Sequence, residues 1–211
     1  VSTRQVINYK AQLTEPNPND SDLQSFLELL KPAAKMRVYT NANDADEARI
    51  ALKFGAEGIG LARTEYMFLE DKIEGENREL TIQSWVLAQD GQAKSAALEK
   101  LEAMQQRDFL EMYRVMKDRP IIIRLLDYPM HELLSGAADR NLAELCNLTN
   151  MNEAELKQRV ESFREKNPML GHRSVRLGIT HPEVYRMQIR AILSAAKEYN
   201  DSAEGNYVTP R

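Results

Sequence analysis

Phe54-Gly-Ala-Glu-Gly-Ile-Gly-Leu-Ala-Arg-Thr-Glu-Tyr-Met-Phe-Leu69 is the stretch whose reading decides the fold. Gly58-Ile59-Gly60-Leu61-Ala62 is short, small and apolar, the pattern of a buried strand packed closely on its neighbours. The run ends abruptly in Arg63-Thr64-Glu65, three polar side chains at the strand's carboxyl end. Ligands of parallel-sheet α/β proteins gather at that end. An arginine there offers a planar fork of donors suited to phosphate or carboxylate. From these residues alone, an ordinary Arg–Glu surface pair explains them at least as well.

Working outward, Met36-Arg-Val-Tyr-Thr-Asn41 reads as a first strand. A helix capped by Asn43 or Asp44 follows and closes at Gly55, so the two strands and their helix make a compact βαβ crossover. Before it, residues 1–34 read as a linker or arm, turn-rich at Glu15-Pro-Asn-Pro-Asn-Asp-Ser21 and with helical spacing over Ser21–Leu30. After it, the pattern is helical from Leu69 to Lys117, broken at Asp90-Gly91. Pro120-Ile-Ile-Ile-Arg-Leu-Leu-Asp127 is a β-branched run that ends, like the first, in charge: Arg124 and Asp127. Residues 131–166 read as helical and solvated. Residues 174–178 read as a short strand after a loop, and Thr180-His-Pro-Glu183 starts a helix to Tyr199. Tyr207-Val-Thr-Pro-Arg211 reads as the beginning of another strand. The expected strands are 36–41, 58–62, 120–126 and 174–178.

Composition narrows the class. The chain has 211 residues, 28% charged and 43% hydrophobic, with net charge −4, ordinary values for a globular protein. That charge argues against nucleic acid as a partner, so an anionic ligand would depend on locally placed arginines. One cysteine excludes an intrachain disulfide framework and fits a reducing compartment. No apolar run approaches the ~20 residues of a membrane span. The expectation is a soluble protein of the cytoplasm or an organelle, and Val1 in place of Met points to a processed or excised piece. His131, His172 and His181 lack metal-ligand spacing, which favours structural or hydrogen-bonding roles. Cys146 fits an apolar helix position.

Two strand ends alike, Arg63 and Arg124, would lie on one rim of a parallel barrel and could converge on one anion. The motif Gly-Ala-Glu-Gly-Ile-Gly-Leu-x-Arg-Thr-Glu-x-Met-Phe closely resembles the PEP-binding barrel of the phosphoenolpyruvate-utilising enzymes: pyruvate phosphate dikinase, PEP synthase and enzyme I of the sugar phosphotransferase system. Ile123-Arg-Leu-Leu-Asp-Tyr-Pro-Met-His-Glu132, Asn167-Pro-Met-Leu-Gly-His-Arg-Ser-Val-Arg-Leu-Gly178 and Met187-Gln-Ile-Arg-Ala-Ile192 continue the match, which runs in order from Arg37 to Ala196. Within the family, the dikinases are the best match at His131-Glu132 and His172. Ala62 stands where they often have Cys, and Tyr128 where they usually have Pro.

The resemblance implies an α/β fold: the first half of a TIM-type β/α barrel over residues 35–211, with long helical insertions. It makes Arg63 and Arg124 ligands of the substrate phosphate, Asp127 an acidic residue of the same site and Arg173 a rim residue. Asn41 and Glu65 would order these side chains. The implied reaction is reversible phosphoryl transfer between phosphoenolpyruvate and an enzyme histidine, within a cycle converting ATP, phosphate and pyruvate to AMP, pyrophosphate and phosphoenolpyruvate. It further implies Mg²⁺ held by residues beyond Arg211, and as partners the remaining barrel half and a swivelling phosphohistidine domain. The intact protein would be a homo-oligomer. No metal ligands are expected in this chain, which by itself would be inactive. Two alternatives stay open at this point: an enzyme I-type phosphotransferase, and a non-catalytic binding or assembly module.

Overall fold

The structure, a computed structural model, describes residues 17–70, 74–202, 207, 208 and 210. The expected arm therefore lies outside the described residues as far as residue 16, as does part of the 207–211 segment. Tyr207, Val208 and Pro210 belong to no strand.

The first described helix, α1 (Ser21–Leu30), starts on Asp20, whose carboxylate accepts from the backbone amides of Asp22 and Leu23. It buries none of its residues. Strand β1 (Tyr39–Asn41) then leads to α2 (Ala45–Lys53), whose N-cap is Asp44, accepting from the Glu47 amide. Gly55, at φ +88°, turns the chain out of that helix in a conformation that favours glycine. Strand β2 (Gly58–Arg63) follows. A Cβ on Gly58 would lie 2.9 Å from Pro120 Cγ and 3.0 Å from Tyr39 Cε1, so the close approach of three segments requires glycine there. A 3₁₀ turn (Thr64–Phe68) precedes α3 (Arg78–Leu87) and the 26-residue α4 (Gly91–Met116). Asp90 caps α4 by accepting from the Ala93 amide, which explains the break read at Asp90-Gly91.

Strand β3 (Ile121–Arg124) is followed by α5 (Met130–Leu133), α6 (Leu142–Thr149), α7 (Glu153–Ser162), α8 (Ser174–Thr180) and α9 (Pro182–Ser202). The strands form one parallel sheet in the order β1-β2-β3. The architecture is mixed α/β, with a small parallel sheet and many helices.

The expected strand at 174–178 is corrected: that segment is helix α8. Its alternation of Val175, Leu177 and Ile179 imitates a strand, but only Leu177 is buried, while Val175 and Ile179 are 73% and 76% exposed. Its backbone bonds are local, as in the Arg176 amide to the Arg173 carbonyl (3.2 Å) and His181 to Leu177 (2.7 Å).

Two apolar clusters hold the chain together. Beneath the sheet, Ile59, Ala62 and Ile121 pack with Phe109, Met112 and Met116 of α4 and Ala191, Ile192 and Ala195 of α9. The second cluster centres on Trp85, Leu101, Leu126, Met130, Leu145 and Leu156 and binds the helices between β2 and α8 to the loop after β3. Burial of each leucine, isoleucine, methionine or phenylalanine among them is worth roughly 1.5–3 kcal/mol. Both clusters anchor residues that flank the ends of β2 and β3, which places the rim at a fixed position.

Candidate functional site

Strand register brings the two arginines together. Arg63 and Arg124 are direct Cα partners at the carboxyl ends of β2 and β3. Each strand end is pinned. The Arg63 amide donates to Asn43 Oδ1 (3.0 Å), and the Thr64 hydroxyl donates to the Arg124 carbonyl (2.9 Å). Thr64 is fully buried, so this bond ties the turn after β2 to β3 out of reach of water.

Arg124 is held by Glu65. Its Nη2 donates to Glu65 Oε1 at 2.9 Å, and the same oxygen accepts from the Asp127 amide at 2.9 Å. The Glu65 side chain is 6% exposed and that of Arg124 is 38% exposed, so a sealed carboxylate carries a guanidinium that is partly open. The Arg63 guanidinium, partly buried, has no hydrogen-bond or ion-pair partner among the described residues.

Asp127 and Arg173 form the second half. Arg173 Nε donates to Asp127 Oδ1 (2.9 Å) and Nη2 to the Asp127 carbonyl (3.0 Å). The Ser174 hydroxyl donates to the same Oδ1. Arg124 Nη1 lies farther off, 3.8 Å from Asp127 Oδ2. The hydrogen bond from Arg173 holds the Asp127 carboxyl below its ordinary value, assisted by Ser174 and by the charges of Arg173 and Arg124 against partial desolvation. The same partner pushes Arg173 upward. With its carboxylate committed to donors in this way, Asp127 suits a fixed negative bracket better than a proton carrier.

Helix α9 supports the assembly from behind. Gln188 is buried, and its Oε1 accepts from the Leu126 amide at 2.8 Å. The Tyr185 hydroxyl bridges the carbonyls of Leu126 (2.6 Å) and Ser174 (2.8 Å). Burial pushes that hydroxyl up to about 12, so it stays a donor. Tyr185 thus joins the loop bearing Asp127 to the segment bearing Arg173.

All four expected site residues, Arg63, Arg124, Asp127 and Arg173, lie in this one cluster, with Glu65 at its centre. The expectation for Asn41 is corrected: its side chain makes no hydrogen bond among the described residues, and Asn43, two positions on, makes the contact with Arg63. Ser174, Tyr185 and Gln188 were not legible. Each sits within an apparently ordinary helical or loop pattern, and only the packing of α9 against the β3 loop reveals it. Three guanidiniums against two carboxylates leave one net positive charge, which suits an anion.

The histidines lie elsewhere. His172 Nε2 is 2.6 Å from Thr180 Oγ1, and His181 packs edge-on to Trp85 with ring centres 5.4 Å apart. His131 is partly buried beside Glu132. Cys146 is a half-buried free thiol against the helical core. Among the described residues, no group of three or more His, Cys, Asp and Glu side chains could hold a metal ion. No helix among them is long and apolar enough to cross a membrane.

Comparison with known proteins agrees with the sequence motifs. A family model for the PEP-binding domain of PEP-utilising enzymes matches residues 18–203. Pyruvate, phosphate dikinase of Rhizobium meliloti (strain 1021) is 42% identical over 195 residues, covering 92% of this chain and 21% of that protein. The enzyme of the same name from Treponema pallidum (strain Nichols) is 39% identical over 193 residues, 88% of this chain and 21% of its own length. That of Giardia intestinalis is 40% identical over 195 residues, 92% and 21%. The chain spans about a fifth of the length of the curated relatives it matches.

Proposed function

We propose, given that this chain belongs to the PEP-utilising enzymes as part of their PEP-binding domain, that Arg63 and Arg124 bind the phosphoryl group of phosphoenolpyruvate in a pyruvate, phosphate dikinase. The observation that carries this reading is the register pairing of Arg63 with Arg124 at the ends of two adjacent parallel strands. Two neighbouring forks at one rim match a phosphoryl group in charge and in donor geometry.

In the complete protein the reaction is transfer of the phosphoryl group between phosphoenolpyruvate and a histidine of a swivelling domain. The P–O bond of the substrate breaks and a P–N bond forms, and the enolate left behind is protonated to pyruvate. The arginines act by position and charge, offsetting the negative charge on the phosphoryl oxygens as it moves. Asp127 and Arg173 fix the rim loop, and Asp127 keeps its negative charge throughout. Phosphoenolpyruvate brings about three negative charges at neutral pH, more than the one net positive charge of this cluster balances. The resemblance implies Mg²⁺ held by residues beyond Arg211; among the described residues no group of three or more His, Cys, Asp and Glu side chains could hold it. The nucleotide half of the cycle belongs to other domains.

The sheet reads as the first three strands of a β/α barrel. Parallel sheets are normally covered on both faces, and a barrel also closes their edges. Here β1 and β3 are both edges of the described sheet, and an open groove of about 650 Å³ runs past Arg124, Leu125, Val175, Ile179 and Ile189. Ile122 of β3 and Leu193 of α9 are also exposed, at 41% and 55%. Such a face needs a further strand and helix to cover it.

The test is equilibrium binding of phosphoenolpyruvate to the complete gene product, measured by calorimetry. Arg63→Ala and Arg124→Ala are each expected to weaken it by ten- to a hundredfold, the loss of a charge-assisted contact, with nucleotide affinity unchanged. Binding that survives both substitutions overturns the assignment of these two arginines, whereas no detectable binding by the parent protein would favour a non-catalytic module. Phosphoryl transfer to a small carrier protein, without pyrophosphate chemistry, would support the enzyme I-type alternative, which the dikinase relatives disfavour.

A further inference from the structure

Two buried polar atoms at the rim have no partner among the described residues, and they belong to two groups that already touch. One is a donor, Arg124 Nε, and the other an acceptor, Glu65 Oε2. Leaving a buried charged group half-satisfied is costly. As placed, the pair makes a single contact, from Nη2 to Oε1. Guanidinium and carboxylate prefer a planar two-point fork, and such a fork would use Nε and Oε2 and satisfy both orphans together. The backbone already supports this arrangement. The Asp127 amide donates to Oε1, fixing the carboxylate from the β3 side, and Thr64, next to Glu65, is bonded to the Arg124 carbonyl.

The geometry points to Glu65 as the positioning residue of the anion site: it orients the Arg124 guanidinium, and the two-point fork is the form that binds ligand. The inference rests on the reading of Arg124 as a ligand of the phosphoryl group. Engaging Nε and Nη2 with Glu65 turns Nη1 toward the anion, and Nη1 is the nitrogen that Asp127 holds only loosely. Glu65 touches no reacting atom and acts through Arg124.

The sign of one substitution separates this role from that of a plain counter-charge. Glu65→Gln removes a negative charge from the rim. If Glu65 only neutralised Arg124, the more positive site would bind an anion more tightly. If Glu65 positions Arg124, binding weakens in spite of the added net charge.

The experiment is calorimetric titration of phosphoenolpyruvate into the complete gene product and its Glu65→Gln, Arg124→Gln and double variants, with nucleotide affinity measured on the same preparations. Glu65→Gln is expected to weaken phosphoenolpyruvate about tenfold, the scale of one charge-assisted hydrogen bond, and to leave nucleotide affinity unchanged. In the Arg124→Gln background it is expected to change nothing, because its effect runs through Arg124. Unchanged or tighter binding in Glu65→Gln overturns the inference alone, provided Arg124→Gln still weakens binding. So does a loss that persists in the double variant, or a parallel loss of nucleotide affinity. An Arg124→Gln variant that binds as the parent does overturns the site reading and this inference with it. If Glu65→Gln does not fold, Glu65→Asp, which keeps the charge one methylene short, takes the same measurements with the same expected loss.

Discussion

Arg78 and Arg124 are both arginines held by carboxylates, and they are built for opposite ends. Arg78, at the start of α3, is fully buried. It donates to the Met67 carbonyl at 3.0 Å, to both oxygens of Asp108 and to Glu76 at 3.2 Å, and Glu76 is shared with Arg107. That assembly ties the turn after β2 to α3 and α4 and closes on itself. The rim assembly around Arg124 is partly open and lies beside Arg63; among the described residues Arg124 Nε, Glu65 Oε2 and the Arg63 guanidinium have no partner. A closed network spends its charges on the fold, whereas an open one keeps some for a ligand.

The contrast can be broken most forcefully at Asp108. Asp108→Ala removes the two-point carboxylate partner of a fully buried guanidinium and is expected to cost about 3–5 kcal/mol of stability, read from urea denaturation. Replacing Arg78 and Asp108 together by Met and Leu is expected to recover most of that loss, since apolar isosteres often match a buried pair. If Asp108→Ala were nearly neutral, the Arg78 network would not be the structural half of the comparison.

The rim carboxylate predicts a pH effect on stability. The hydrogen bond from Arg173 holds Asp127 below its ordinary value of 3.8. The folded form therefore binds fewer protons than the unfolded chain between the two values. Its contribution to stability is present in full above the unfolded value and is lost as pH falls through the lowered folded one. The stability difference between the parent and Asp127→Asn should be constant near neutrality and shrink through the acid range, measured as urea midpoints at successive pH values. A difference that grows on acidification would reverse the assignment.

A smaller effect sharpens the comparison at Ser174. Its φ of +49° lies in the left-handed region, where an L-residue is strained by roughly 1–2 kcal/mol. Its hydroxyl meanwhile bonds Asp127. Ser174→Ala loses the bond and keeps the strain, whereas Ser174→Gly loses the bond and relieves the strain. The glycine variant is expected to be the more stable of the two by about 1 kcal/mol in thermal or urea unfolding.

The legibility of the chain follows the same division between local pattern and assembly. Strands β2 and β3 were readable because each is an apolar run stopped by a charge, and the helix break at Asp90-Gly91 was readable because its chemistry is local. Residues 174–178 misled because Val175, Leu177 and Ile179 alternate, and alternation over so few residues does not separate a strand from a short helix. What decides it is packing: Leu177 enters the core, and Gly178 lies against Tyr185, where a Cβ would come within 3.3 Å of the ring. Arg63, Arg124, Asp127 and Arg173 could be named from motifs. That Glu65 bonds both Arg124 and the Asp127 amide, and that Tyr185 and Gln188 brace the loop, requires β2, β3 and α9 to be assembled first. Asn43 rather than Asn41 reaches Arg63 because the chain leaves β1 at Asn41 and turns back across the end of β2, where the Ala42 amide still bonds the Leu61 carbonyl at 3.3 Å.

The smallest stability effect is expected at Arg63, and it tests the comparison most directly. Its guanidinium makes no bond among the described residues, and its neighbour across the sheet is another arginine. The Asn43 contact uses the Arg63 amide, which any residue at this position but proline retains. Removing the side chain therefore takes away no hydrogen bond and relieves a like-charge pair. Arg63→Ala should change stability by less than about 0.5 kcal/mol, or raise it, while phosphoenolpyruvate binding falls as proposed above. The two readouts are expected to move independently under the proposed role, in which the Arg63 charge serves the ligand and not the fold. A loss of stability comparable to that of Asp108→Ala would place Arg63 with Arg78, among the charges that hold the molecule together.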